Sequence, residues 1–147
     1  PVSELQNITE QNKRRKCYEL EIEYRNAELS KEDTLKQISN ADQEAKILRR
    51  ELDSSGEKLK AAIRDAGFDI ATALIPGLSG KVPVLSPALE TAKNAAQLWT
   101  IHSEWSSIWQ SLEKVIDQLK DAQKRLEEKE QEIRSIRSQK AYWGCAI

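Results

Sequence analysis

One stretch decides the fold: Pro76-Gly77-Leu78-Ser79-Gly80-Lys81-Val82-Pro83-Val84-Leu85-Ser86-Pro87, which holds three of the four prolines and two of the five glycines of this 147-residue chain. Proline and glycine interrupt helices and form turns. On both sides of this stretch, apolar residues recur at helical spacing. We therefore predict an all-α fold, a long antiparallel helical hairpin of the coiled-coil type, with its turn at about 75–86 and a single domain spanning 1–147.

The first helix is predicted from about residue 4 to 74. Ser3 and Gln6 have the spacing of a capping box, which marks a helix start. Apolar residues then follow in alternating steps of three and four, the pattern of a coiled-coil seam. The seam consists of Cys17, Leu20, Tyr24, Ala27, Ile38, Ala41, Ala45, Leu48, Leu52, Leu59, Ala62 and Ala66. Gly56 is a weak helix former, so it predicts a weak spot or kink in an otherwise continuous helix.

The second helix is predicted from about residue 87 to 143. Ser86 is a suitable cap, Pro87 suits the first helical position, and Gly144 can end the helix. Its apolar face widens between Trp99 and Leu119 beyond what one partner helix covers. We therefore expect the hairpin to belong to a larger or oligomeric bundle. The predicted interaction residues are Trp99, Trp105, Ile108, Trp109 and Leu112. The alternative is that the three tryptophans pack in the core of a bundle.

The turn is unusually apolar, since Lys81 is the only charged residue between 76 and 86. Loops normally lie in water and carry polar side chains. We therefore expect this turn to contact another subunit, a partner protein or lipid. The predicted contact residues are Leu78, Val82, Val84 and Leu85.

The two cysteines are predicted to lie at the same level of the hairpin. Facing residues of an antiparallel hairpin have position numbers with a constant sum, and Cys17 with Cys145 gives nearly the same sum as the predicted helix ends Leu74 and Pro87. This register brings the cysteines within disulfide reach. The alternative is two thiols in a reducing compartment.

The same register has two further consequences. It places Trp105 opposite Gly56, where the missing side chain leaves room for an indole. It also depends on where the first helix ends. A first helix that ended at Ala66 would move the partner of Cys145 by about ten residues, or roughly 15 Å, away from Cys17.

Composition and motifs argue against several classes of function. The net charge is −1, so no global field attracts nucleic acid. The basic run at 13–16 is flanked by glutamates and is typical of a solvated helix face. His102 is the only histidine and has no companion metal ligands, and the nearby serines have no catalytic base. We therefore predict no catalytic, cofactor or metal residues, no enzyme activity and no small-molecule substrate.

The sequence favours a structural and interaction module that associates with itself or with another helical protein. The alternative is a membrane-active protein, because long helices around a short apolar tongue resemble the layout of the α-helical pore-forming toxins. No apolar run reaches the ~18 residues of a spanning helix.

The location of the protein depends on two features of the sequence. If the glycosylation sequon at Asn7 is used and Cys17 is paired, the protein is secreted; otherwise a cytoplasmic location is expected. Because the sequence begins at Pro1, we expect a mature form, a cleaved product or an excised segment.

Overall fold

Two long helices make up most of the protein. A computed structural model describes residues 2–77 and 81–146 and is 85% helical. Helix α1 spans Val2–Asp65 and packs against helix α3, which spans Ala95–Tyr142. This confirms the predicted all-α hairpin. The α1 helix runs unbroken through Gly56.

The first helix ends earlier than the sequence pattern predicts, at Asp65 instead of Leu74. Gly67 adopts a positive φ of 82°. This conformation favours glycine, which has no Cβ. The Gly67 N–H donates to the carbonyl of Arg64 at 2.9 Å, and the Phe68 N–H donates to the carbonyl of Ile63 at 3.2 Å. These two bonds form a Schellman motif, which satisfies the last carbonyls of the helix and turns the chain away.

The connection between the long helices has more structure than a loop. Helix α2, Ile70–Ala73, leads into strand β1, Leu74–Ile75. Strand β2, Val84–Leu85, pairs with β1 in antiparallel register, with Leu74 opposite Leu85 and Ile75 opposite Val84. The predicted turn therefore contains a two-stranded hairpin, and the predicted first helix extends nine positions too far into this region.

The second helix begins later than predicted. Ser86 caps a helical segment that starts at Pro87, as expected, but this segment is a 3₁₀ helix, Pro87–Thr91. Ala92 is extended, with φ −67° and ψ 147°, so the helical path stops there. The α3 helix starts only at Ala95. The Asn94 side chain donates to the carbonyl of Ala62 at 3.0 Å and joins this break to α1.

The described residues form two compact units. The first consists of Pro1–Asn40 with Leu119–Ile147, and the second is Ala41–Gln118. The core of the first unit is small: Leu20, Ala27, Ile133 and Ile136, with Tyr24 and Cys145 packed against them. The second unit has a larger core of Leu59, Ala62, Ile63, Ala73, Leu85, Leu89, Leu98 and Trp105, and a smaller one of Ala45, Leu112 and Val115.

Candidate interaction surface

An aromatic row on α3 organises the second unit. The row consists of Trp99, His102, Trp105 and Trp109, which are separated by three or four positions. This spacing places them on one side of the helix. Successive ring centroids are 6.3, 5.8 and 5.4 Å apart. These separations are within the range of favourable aromatic pairs, so each ring helps to orient the next.

The members of this row differ in exposure. Trp105 is only 9% exposed, and its indole lies over Gly56: a Cβ on that glycine would be 3.4 Å from the indole Nε1. The absence of a side chain at Gly56 makes room for the ring. Leu112 is also buried, and Ile108 and Trp109 are half-buried. Of the predicted interaction residues, only Trp99, at 44%, is clearly exposed. Trp105 and Leu112 are core residues of their own chain.

His102 joins the aromatic row to the turn. It is buried, and its Nε2 lies 2.7 Å from the carbonyl oxygen of Pro83. Because a carbonyl only accepts, Nε2 donates. The other ring nitrogen, Nδ1, faces the Ser106 hydroxyl at 3.5 Å. His102 therefore anchors the turn to α3. No His, Cys, Asp and Glu group suited to a metal occurs within 2–77 and 81–146.

The turn residues divide between the core and the surface. Leu85 is buried in the larger core, and Val82 packs against it. The expectation that Leu85 faces a partner or lipid is therefore wrong, because its own chain covers it. Val84 is 49% exposed, and its cross-strand neighbour Ile75, which the sequence did not single out, is 41% exposed. Leu78 lies outside the described residues.

A groove of about 460 Å³ runs between α1 and α3 in the second unit. Its α1 side carries Asp53 and Glu57, and its α3 side carries Trp105 and Trp109. The Trp109 indole N–H donates to the Glu113 carboxylate at 2.7 Å, which fixes the orientation of that ring. The remaining lining residues are Leu52, Gly56, Leu59, Lys60 and Leu74.

The first unit contains a disulfide between the two cysteines that the sequence register places within reach of each other. Cys17 and Cys145 are bonded, with their Cα atoms 5.6 Å apart. Gly144 has a positive φ of 67°, and the Cys145 N–H donates to the carbonyl of Lys140 at 2.8 Å. These features form a second Schellman motif. The motif turns Cys145 back towards α1.

A polar cluster lies beside the disulfide. The Lys140 ammonium, whose side chain is 7% exposed, donates to the Glu21 carboxylate at 2.7 Å and lies 4.9 Å from the centre of the Tyr24 ring. Arg137 donates to the Tyr24 hydroxyl at 3.1 Å. The hydrogen bond from Lys140 lowers the pKa of Glu21, with a further contribution from Arg25. The sequence did not reveal this cluster, because these charges resemble ordinary exposed residues of a helix.

The chain was compared with protein-family models, curated proteins and solved structures, and none of the three comparisons gives a match. None of the helices in the described residues combines the length and the apolar character needed to cross a membrane. The function of this chain must therefore be inferred from its own surface.

Proposed function

We propose that this chain is a non-enzymatic interaction module that associates with a second copy of itself through the turn-bearing surface of its second unit. One observation carries the proposal: Ile75 and Val84 form a direct cross-strand pair, and both are at least 41% exposed. Adjacent exposed apolar side chains favour association, because a partner that covers both removes their joint surface from water. Single scattered apolar residues carry no such indication, because every protein surface has them.

The surroundings of the pair support the same proposal. Between residues 70 and 112 only Lys81, Glu90, Lys93 and Glu104 are charged, so little opposes burial of this surface against a partner. The pair is also held in place. Leu85 next to Val84 is part of the core, and His102 binds the carbonyl of Pro83. A surface that is already ordered loses less entropy on binding.

The test replaces Ile75 and Val84 together with serine. We expect the wild type to sediment as an oligomer in buffer without detergent and the double variant to dissociate at the same concentration. The matched control is Leu35→Ser with Ile47→Ser, which removes two other exposed apolar side chains of α1. The control should sediment like the wild type. A monomeric wild type, or equal effects of both double variants, would contradict the proposal.

A lipid-binding turn is the second candidate, and the same exposed pair favours it. Lys81 is the only charge in the turn. The segment can therefore approach a bilayer without burying many ionised groups. Flotation with phosphatidylcholine vesicles separates the two candidates. Lipid binding predicts that the wild type floats and that Ile75→Ser with Val84→Ser does not, whereas self-association predicts that the wild type stays in the protein fraction.

A further inference from the structure

The core of the first unit is a small cluster near the disulfide, which we name the end cluster. Its members are two side chains from each helix: Leu20, Ala27, Ile133 and Ile136. Residues 123–132 of α3 include no buried side chain, and Thr34 is the one buried residue within 28–40 of α1. The bare stretch of α3 is roughly 15 Å long at the α-helical rise. The end cluster therefore has no buried apolar neighbour along these two stretches.

Polar contacts between the two helices are also few in this unit. Of the ion pairs within the described residues, only the pair of Lys140 with Glu21 joins α1 to α3. Arg137 adds its hydrogen bond to Tyr24. The other ion pairs connect residues three or four positions apart on one helix, so they do not oppose separation of the helices.

The disulfide is the covalent link at this end, and a small thiol can reach it. Cys17 and Cys145 are half-buried, and Gly144 beside them is exposed. A dithiol reduces such a bond by thiol–disulfide exchange. It gives up two electrons and two protons, the S–S bond breaks, two cysteine thiols form, and the reagent becomes a cyclic disulfide.

The second unit contains neither cysteine and has more buried apolar packing. Its larger core alone has eight buried side chains, compared with four in the end cluster. The bond from Asn94 to the carbonyl of Ala62 adds a polar link between its elements. Regions with few buried apolar contacts open at a lower free energy than well-packed regions. Loss of the disulfide therefore affects the first unit far more than the second.

We propose that the Cys17–Cys145 disulfide is a redox switch that controls the first unit alone. While the bond is intact, α1 and α3 stay packed in this unit. After reduction they separate there and expose the apolar side chains of the end cluster, whereas the second unit stays folded. Most helical stability in proteins comes from packing of an apolar face, so the separated helices also lose protection of their amides. The proposed self-association involves only the second unit, and this inference does not depend on it.

Hydrogen exchange resolved by peptide at neutral pH tests the switch. The oxidised wild type is measured before and after treatment with dithiothreitol. We expect the amides of 17–27 and 133–140 to exchange at least about tenfold faster after reduction, and those of 56–63 and 98–112 to change less than about twofold. The matched control is Cys17→Ser with Cys145→Ser, which should exchange like the reduced wild type both with and without the reagent.

Three results would overturn the proposal. Equal acceleration in both units would show that the disulfide stabilises the whole chain and not one unit. Acceleration confined to residues 143–146 would show that reduction releases only the terminal turn. Unchanged exchange, in a sample whose thiols are shown to be free, would mean that the end cluster and the polar contacts hold the helices together without the bond.

Discussion

The Trp105 indole lies over Gly56, the one position of α1 that carries no side chain. The register placed Trp105 opposite Gly56, and the structure shows the indole in that gap. The bond from His102 to Pro83 and the pair of Lys140 with Glu21 were not predicted. A seam pattern identifies which positions face inward, but a polar side chain at such a position does not reveal the atom that it binds.

At the residue scale, the Glu21 pair predicts a specific response to acid. Its pKa is lowered in the folded protein, chiefly by the hydrogen bond from Lys140. The pair therefore stabilises the fold fully above the unfolded pKa of about 4.5, and this stabilisation is lost as pH falls through the lower folded value. We expect Glu21→Gln to lower the melting temperature at pH 7, and the difference from wild type to disappear well below pH 4.

The matched control is Glu132→Gln, because Glu132 makes an exposed ion pair with Lys129 in the same unit at 3.2 Å. The melting temperature of Glu132→Gln should equal that of the wild type at every pH. Thermal unfolding followed by circular dichroism between pH 2 and 7 measures both variants. If Glu21→Gln lowered the melting temperature by the same amount at pH 2 as at pH 7, the ionised pair would not be the cause.

At the element scale, the sequence predicted that two long helices exist but misplaced the ends that face the turn. The helical spacing continues past Gly67 through Ile70, Ala73 and Leu74, and these residues are indeed partly helical and packed. What the periodicity could not show is the positive φ of Gly67. The signal was present, because a glycine followed by an apolar residue is the signature of a Schellman end, and it identified Gly144 correctly.

Gly67→Ala tests this helix end. A Cβ at Gly67 would meet no atom within 4 Å, so the substitution acts through the backbone alone. We expect it to lower the free energy of unfolding by about 1–2 kcal/mol, the cost of a left-handed conformation for a residue with a Cβ. Gly67→Asn is the control. It should lower the free energy of unfolding by less than Gly67→Ala does, because asparagine tolerates this conformation. Urea unfolding in which Gly67→Ala equals or exceeds the wild type would indicate that α1 continues to Leu74.

At the scale of the whole molecule, the predicted register is correct although the predicted end of the first helix and the predicted start of the second are both wrong. An α1 that ended near Ala66 was expected to separate Cys17 from Cys145, and α1 does end at Asp65, yet the cysteines are bonded. That expectation was wrong because it shortened the first helix and left the start of the second helix at Pro87. The α3 helix begins at Ala95 instead of Pro87, so the two overestimates nearly cancel and the pairing of positions is preserved. An antiparallel register depends on the sum of the two end positions, which the seam spacing constrains better than either end alone.

The disulfide makes a prediction for the whole chain, because it closes a loop between residues separated by 128 positions. In the chain-entropy model, a loop of this length restricts the unfolded state enough to stabilise the fold by about 4–5 kcal/mol. The oxidised protein should therefore unfold at higher urea concentration than Cys17→Ser with Cys145→Ser, and reduced wild type should match that variant. Peptide mapping without reductant should recover Cys17 linked to Cys145 within one chain. Linked peptides that arise only from disulfide-bonded dimers, or equal stability of the oxidised and reduced forms, would show that the bond does not close this loop.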